Sequence, residues 1–164
     1  GDDKRNWDPE GVDRKFGQWP IKEREIFAES SLSFAFVNLK PVVPGHVLIA
    51  PKRVVGRFTE MLPEEVSDLW QLSQGVGIQV EKHFAGSSLT LAIQDGPEAG
   101  QTVPHVHVHI LPRKKGDFEN NDEVYDKIDE SSTSLAKDLD KDRKPRSASE
   151  MYEEAAALRP LFQH

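Results

Sequence analysis

One stretch of the sequence decides the fold, and it reads His105-Val106-His107-Val108-His109-Ile110-Leu111. Side chains of a β-strand alternate between two faces, so the three histidines would lie on one face, roughly 6.6 Å apart along the strand. The apolar residues between them would face the core on the other side. A helix would instead spread the imidazoles over much of its surface. The spacing therefore predicts a β-strand over residues 105–111 that carries a row of imidazoles.

Three interpretations of this row are open from the residues alone. It is the polar face of an ordinary strand, a metal site, or a catalytic group in which imidazole acts as nucleophile, acid or hydrogen-bond donor. Neutral imidazole binds zinc and copper well, but ligands on one straight strand converge poorly on a single ion. The chain also has no cysteine and no His-Glu-x-x-His motif. Three histidines in register therefore favour catalysis.

The negative charge of the chain is concentrated in its C-terminal part. The net charge is −7, of which residues 117–164 contribute −6 (7 basic and 13 acidic residues) and residues 1–116 contribute −1 (14 and 15). The region around the histidines is thus nearly neutral, without the basic patch typical of nucleic-acid binding. No apolar run approaches the roughly 18 residues of a membrane helix, and no signal peptide is visible. We expect no nucleic acid and no membrane among the partners, and a cytoplasmic location that extends to the nucleus.

The pattern along the chain predicts an α+β domain with a mainly antiparallel sheet. Besides residues 105–111, strand candidates lie at residues 25–29, 33–38, 46–50 and 88–94. Pro63 and the two glutamates after it are a typical helix start, and apolar residues then recur at helical spacing as far as Phe84. Gly75 and Gly77 weaken this helix, and two interpretations are open: the cost is tolerated, or the glycines allow close approach of a second backbone, such as that of a partner subunit.

The two ends of the chain have different compositions from the middle. Residues 1–15 are charged and mostly polar, which indicates a mobile N-terminal arm. Residues 119–146 are rich in charged residues and serine, so we expect a largely disordered acidic loop. Ser147 and Glu150 form a capping box, and residues 147–164 are predicted to form a short helix and a tail that pack on the main domain.

The residues around the histidines narrow the interpretation. Gln94-Asp95-Gly96-Pro97-Glu98-Ala99-Gly100-Gln101-Thr102-Val103 precedes them, and Leu111-Pro112-Arg113-Lys114 follows. Upstream stand Leu32-Ser33-Phe34-Ala35-Phe36-Val37-Asn38 and Lys40-Pro41-Val42-Val43-Pro44-Gly45-His46-Val47-Leu48. With these flanks, residues 16–118 closely resemble the histidine triad (HIT) superfamily, in its fragile histidine triad (Fhit) branch of dinucleoside polyphosphate hydrolases. The galactose-1-phosphate uridylyltransferase branch usually has Gln in place of His109, and the Hint branch usually has Gly-Gly after the triad.

The resemblance implies a fold, a reaction and a set of site residues. The fold would be a HIT-like, five-stranded, mainly antiparallel sheet with one long helix and a short C-terminal helix, extended across a homodimer. His107 would attack the α-phosphorus and carry the nucleotidyl group, His109 would hydrogen-bond phosphate oxygens, and His105 would orient the strand and bridge toward His46. Gln94 would contact phosphate oxygens near the leaving group. Further substrate-binding residues would be Asn38 for ribose, Gly100, Gln101, Thr102 and Val103 for phosphates, and Phe16, Ile21, Phe36 and Leu48 for adenine.

The expected activity is the hydrolysis of diadenosine triphosphate to AMP and ADP through an adenylyl-histidine intermediate. Adenosine 5'-phosphosulfate and adenosine phosphoramidate are further expected substrates, since each carries an adenylyl group on a good leaving group. We expect no protein-bound metal, with Mg²⁺ or Mn²⁺ associated with the substrate phosphates instead. Tyr125, in the acidic segment, is a candidate phosphorylation site. Two other classes stay open: a nucleotide-loaded signalling module whose output is the bound state, and a structural module without enzymatic activity.

Overall fold

An antiparallel sheet of five strands forms the centre of the computed structural model, which describes residues 7–133 and 144–163. Counted along the chain, β1 (Arg14–Phe16) and β2 (Trp19–Ile21) form a separate hairpin. The sheet consists of β3 (Ile26–Glu29), β4 (Ser33–Val37), β5 (Val47–Pro51), β6 (Ser88–Ala92) and β7 (Val108–Arg113). Its strand order is β3-β4-β5-β7-β6, so β7 lies between β5 and β6. The predicted α+β class and antiparallel sheet are confirmed.

The two faces of the sheet have different surroundings. One face packs against helix α1 (Pro63–His83), where Val106, Val108 and Ile110 join Leu72 and Val76 in the main core. This confirms that the apolar residues between the histidines face an apolar layer. On the other face, Leu48 of β5 pairs directly with His109 of β7. Because paired residues share a face, the histidine lies on the side away from α1.

The strand that carries the histidines is shorter than predicted. Strand β7 begins at Val108, so His105 and His107 precede it and only His109 lies within it. Pro104 has no N–H to donate to a ladder, and the chain bends there, with the N–H of His105 donating to the Val103 oxygen (2.8 Å). The N–H of Val106 donates to the Val55 oxygen (2.8 Å), outside the sheet. The alternation of faces still holds from Val106 onward.

The N-terminal arm is a second correction. Residues 1–6 lie outside the described residues, but residues 7–15 pack on the domain rather than forming a mobile arm. The ring of Trp7 contacts that of Phe162 (centroids 6.5 Å apart), and its carbonyl oxygen accepts from the N–H of Glu29 (2.9 Å). Arg14 pairs with the buried carboxylate of Glu29 (2.9 Å). The charges that indicated mobility are thus partners of charges on the domain.

The prediction of disorder over residues 119–146 is wrong for much of that segment. Helix α2 spans Glu123–Thr133, and residues 134–143 lie outside the described residues. Val124 and Ile128 are completely or almost completely buried against Leu111 of β7. Two apolar residues four apart form one face of a helix, and this is enough to dock it although its composition is polar.

The C-terminal residues pack against β3 and β4 and join the main core. Helix α3 (Ala148–Leu158) begins at Ser147, whose hydroxyl accepts from the N–H of Glu150 (3.2 Å), and it buries Met151, Ala155 and Leu158. Arg159 then donates to the carbonyl oxygen of Ile26 (2.9 Å). None of the helices in the described part of the chain is both long and apolar enough to cross a bilayer.

Candidate active site

His107 is held in one tautomer by its own backbone. Its Nδ1–H donates to the carbonyl oxygen of His105 (2.8 Å), which leaves Nε2 with a free lone pair. The imidazole is only 6% exposed and meets the ring of Phe16 edge to face (centroids 4.8 Å apart). This is the arrangement that a nucleophilic imidazole needs, with one nitrogen anchored and the other available.

His109 is held in the opposite tautomer by a relay of hydrogen bonds. The N–H of Val42 donates to Nδ1 of His46 (3.0 Å), so the proton of His46 lies on Nε2. That Nε2–H donates to Nδ1 of His109 (3.0 Å), which in turn places the proton of His109 on its Nε2. The Nε2 of His109 is buried and has no hydrogen-bond partner among the described residues. It is therefore a preorganised donor for an oxygen that is not part of the protein.

His105 has a positioning role, but its partners are not those that the sequence suggested. Its Nδ1 accepts from the N–H of Gly17 (2.8 Å), and its Nε2–H donates to the carbonyl oxygen of Pro51 (2.8 Å). It thus joins the β1–β2 turn to the end of β5. The predicted bridge from His105 to His46 is wrong, since His46 contacts His109 instead.

Burial keeps the three histidines neutral. It is the largest cause of the lowered pKa of each, and it brings the pKa of His107 to about 4. For His109, whose pKa lies well below its usual value, the neighbouring rings of His107 and His46 add to the effect of burial. Close imidazoles lower one another's pKa, but loss of solvation is the larger contribution for His107 and His109. At neutral pH, the site therefore presents an uncharged nucleophile and an uncharged donor.

Asn38 lies at the start of the His46 relay. Its Oδ1 accepts from the N–H of Lys40 (3.0 Å), and its Nδ2 lies 3.3 Å from Nε2 of His46. Its carbonyl oxygen accepts from the guanidinium of Arg146, which also pairs with Glu154 (2.6 Å). The C-terminal segment thus holds the loop that carries Asn38 and His46. The sequence indicated no link between these distant residues.

The four apolar residues expected to form the adenine pocket lie together beside the histidines. Phe16, Phe36 and Leu48 are buried in one cluster, and Ile21 packs against it. The ring of Phe16 lies between those of Phe36 (5.3 Å) and His107 (4.8 Å). Val103, predicted as a phosphate ligand, also belongs to this cluster. The structure therefore provides an apolar wall directly next to the proposed nucleophile.

Gln94 and Gly100 lie together at the other end of the site, next to helix α2. The amide of Gln94 donates to Oδ1 of Asp129, a residue that sequence reasoning missed. A Cβ on Gly100 would lie 2.8 Å from both the Gln94 amide nitrogen and this carboxylate oxygen. Tyr125, one helical turn before Asp129, is half-exposed. The only sequence signal for Asp129 was the polar composition that suggested disorder.

The side-chain amide of Gln101 makes its hydrogen bonds within the protein, although the residue was expected to bind a phosphate. Its Oε1 accepts from the N–H of Gly96 (2.7 Å), and its Nε2 donates to the carbonyl oxygens of Gly56 (2.7 Å) and Val103 (3.1 Å). Its backbone N–H, like that of Gly100, donates within the 96–101 turn. These donors are therefore engaged, so Gln101 braces its own loop and joins it to the segment around Gly56. Thr102 follows in the loop and is exposed.

The geometry permits a specific kind of chemistry. His107 offers a lone pair to an electrophile, and His109, whose ring centroid is 4.9 Å away, offers a hydrogen bond to the oxygen on which charge develops. Attack on phosphorus needs these two functions more than it needs a charged side chain. In the described residues, no group of three His, Cys, Asp or Glu side chains has the arrangement of a metal site.

Comparison with known proteins gives consistent matches. A family model described as the HIT domain matches residues 21–116. A bifunctional bis(5'-adenosyl)-triphosphatase/adenylylsulfatase FHIT from Arabidopsis thaliana is 57% identical over 149 residues, which are 90% of this chain and 83% of the relative. A bis(5'-adenosyl)-triphosphatase from Dictyostelium discoideum is 53% identical over 148 residues, covering 90% of this chain and 92% of the relative.

A solved structure has the same fold. The crystal structure of Plasmodium falciparum diadenosine triphosphate hydrolase in complex with cyclomarin A superimposes with a TM-score of 0.75 at 31% identity. The match covers 96% of this chain and 90% of that chain. The segment matched by the family model is more than half of the sequence and contains His46 and the whole histidine row. This chain therefore belongs to the HIT domain family.

Proposed function

We propose that this chain hydrolyses dinucleoside polyphosphates, typically diadenosine triphosphate to AMP and ADP. The observation that carries the proposal is the pair of opposite tautomers, a free Nε2 lone pair on His107 beside a free Nε2–H on His109. The names of the two relatives that are more than 50% identical supply the substrate class. The name of the Arabidopsis relative also supports adenosine 5'-phosphosulfate as a substrate, and adenosine phosphoramidate shares the adenylyl group.

The proposed reaction has two displacements at the α-phosphorus. The Nε2 of His107 forms a P–N bond while the bond from this phosphorus to the bridging oxygen breaks, and ADP leaves with the bonding electrons. His109 donates to a non-bridging oxygen throughout. The adenylylated imidazole is cationic, and its Nδ1–H remains on the His105 carbonyl. Water then forms a P–O bond, the P–N bond breaks, AMP and a proton leave, and His107 regains its lone pair.

The low pKa of His107 suits the second displacement. Burial disfavours the cationic imidazolium, so the P–N bond of the intermediate is weaker than one to a solvated imidazole. The adenine would lie against the wall of Phe16, Phe36, Leu48 and Ile21, and the ribose near Asn38.

Because the histidines are neutral, the substrate charge would be balanced by a divalent cation that arrives with the phosphates. KM should then fall on addition of Mg²⁺ to chelated protein, while washed protein should contain far less than one equivalent of zinc or copper.

The covalent route can be tested by stereochemistry. Each in-line displacement inverts phosphorus, so two displacements give net retention. A substrate made chiral at the α-phosphorus with sulfur and an oxygen isotope should yield AMP thiophosphate of retained configuration. An inverted product would mean direct attack by water and would exclude the His107 intermediate without excluding hydrolysis.

His107→Asn should lower kcat by several orders of magnitude and leave the dissociation constant of the substrate almost unchanged. The substitution removes the attacking nitrogen but keeps polarity and approximate shape. The exposed His83 provides the matched control, and His83→Asn should have wild-type kinetics. A His107→Asn variant with wild-type kcat would overturn the assignment of the nucleophile.

We also propose a homodimer, formed at the β6 edge of the sheet. The edge strand β6 pairs only with β7 among the described strands. Leu91 on it is 43% exposed, and Ile78 on the adjacent part of α1 is 58% exposed. Two such edges would join the two sheets into one and cover both residues. Leu91→Lys should convert a dimer to a monomer in light scattering, and a wild-type monomer would contradict the proposal.

A further inference from the structure

Helix α2 brings a negative charge to the part of the site where a substrate would present its phosphates. The Asp129 carboxylate accepts a hydrogen bond from the Gln94 amide beside Gly100, where a Cβ would lie 2.8 Å from both groups. A carboxylate and a phosphate present similar anionic oxygens to an amide donor. A phosphate oxygen that binds this side of the Gln94 amide therefore competes with the Asp129 carboxylate.

The position of this carboxylate is set by packing. Val124 and Ile128 anchor α2 on Leu111, which lies two residues after His109 in the same strand. Ile128 immediately precedes Asp129. Burial of the Ile128 side chain therefore fixes the backbone from which the Asp129 carboxylate reaches Gln94. The contact is thus linked through the sheet to the histidines.

The charges of the groups around Gln94 decide how strongly Asp129 and a phosphate compete. His107 and His109 are neutral, and Arg57, the guanidinium close to Gly96, is already paired with Asp95 (2.9 Å). A polyphosphate at Gln94 would therefore meet the Asp129 charge directly. Two like charges at contact distance repel, and because Asp129 is exposed, salt screens part of this repulsion.

We propose that Asp129 is a specificity-determining residue whose carboxylate occupies the phosphate position at Gln94, so that helix α2 disfavours substrates with anionic leaving groups until they displace it. The proposal rests on the proposed function, because it concerns the leaving-group end of that substrate. It also implies that the same carboxylate assists release of the anionic product, since it returns to Gln94 when ADP leaves.

The test compares Asp129→Asn with Asp126→Asn. Both remove one negative charge from α2, but Asp126 is an exposed residue for which no contact with the site is seen. Asp129→Asn should lower KM for diadenosine triphosphate by about tenfold at low salt, with a smaller effect at high salt. It should leave KM for adenosine phosphoramidate, whose leaving group is ammonia, within about twofold. Asp126→Asn should match the wild type with both substrates.

Three results would overturn the proposal. The first is identical KM values for the two variants with diadenosine triphosphate. The second is an equal decrease for both substrates. The third is a higher KM for Asp129→Asn that depends on Mg²⁺, which would make Asp129 a ligand of the substrate cation.

Calorimetric titration with ADP separates this proposal from the function on which it rests. Asp129→Asn should bind ADP about tenfold more tightly than Asp126→Asn, whether or not the chain turns over diadenosine triphosphate. A wild-type chain that hydrolyses no adenylyl substrate would refute the proposed function, while the ADP affinities would still decide the role of Asp129. Equal ADP affinities would refute that role.

Discussion

At the scale of single residues, the site is a set of four histidines, three of which have their protons placed by the backbone. The backbone partners are Val42 for His46, the His105 carbonyl for His107, and Gly17 with Pro51 for His105. His109 receives its tautomer from His46. The same residue type therefore serves as nucleophile, donor, relay and support, because each ring has different backbone neighbours.

His46→Phe should reduce kcat by about 10²-fold, with a much smaller effect on KM. Without the proton from His46, His109 is free to carry its own proton on Nδ1, and Nε2 then presents a lone pair to the phosphoryl oxygen. Loss of one such donor typically costs this much in kcat. Steady-state kinetics would measure the effect, with His83→Phe as the control. Unchanged kcat would show that the relay does not determine the His109 tautomer.

At the scale of elements, α2 shows how little apolar surface a segment needs in order to dock. Over residues 123–129, where side-chain burial is described, it buries only Val124 and Ile128, and this places Asp129 in the site. The prediction of disorder used the average composition of the segment, and such an average does not detect two apolar residues that are spaced to form one face of a helix. Helix α1 shows the opposite case, in which a long regular pattern identifies both the start of the helix and its buried face.

Ile128→Ala should destabilise the protein by about 2–4 kcal/mol, since it removes a side chain that is 1% exposed. The melting temperature should fall by several degrees. Tyr125→Ala, on the same helix but at a half-exposed position, should change the free energy of unfolding by much less. Equal effects of the two substitutions would show that α2 is not docked through Ile128.

The glycines of α1 make room for side chains of the same chain rather than for a second backbone. A Cβ on Gly75 would lie 1.9 Å from the Trp7 indole, and one on Gly77 would lie 3.0 Å from Leu89 Cδ1. The close approach considered for these glycines therefore exists, but the approaching groups are the side chains of Trp7 and Leu89.

Gly75→Ala should destabilise the protein although alanine is the better helix former by about 1 kcal/mol. The added methyl group would displace Trp7 and remove its contact with Phe162. In the Trp7→Ala background, the same substitution should be neutral or stabilising. Chemical denaturation of the four proteins of this cycle would measure the coupling, and additive effects would contradict the close contact.

At the scale of the whole molecule, the buried histidines link stability to pH. Their folded pKa values lie below the unfolded value of about 6.5, and that of His107 is about 4. Between these values the unfolded chain binds protons that the folded chain does not. The contribution of His107 to stability is thus complete above about pH 6.5 and is lost progressively as the pH falls to 4.

Urea unfolding between pH 7 and pH 4.5 should therefore show a steeper loss of stability for the wild type than for His107→Asn. The difference should reach about 2–3 kcal/mol by the lower pH. His83→Asn should follow the wild-type curve. Parallel curves for the wild type and His107→Asn would show that His107 titrates at the same pH in both states.

The sequence by itself determined the fold class, the helix from Pro63 and the apolar face behind the histidines, whereas the expected site residues came from the family resemblance. Those features depend on periodicity and on local motifs, which a linear sequence contains. It overestimated disorder at residues 7–15 and 123–133, because ion pairs such as Arg14–Glu29 and the burial of Val124 and Ile128 depend on distant partners.

Only the tertiary structure decided which nitrogen of each histidine carries the proton. Backbone atoms of Gly17, Val42 and Pro51 place those protons, and a backbone N–H or carbonyl is the same for almost every residue type. The contacts of Asp129 with Gln94 and of Arg146 with Asn38 were likewise unpredictable. They join segments 35 and 108 residues apart, and folding alone brings these segments together.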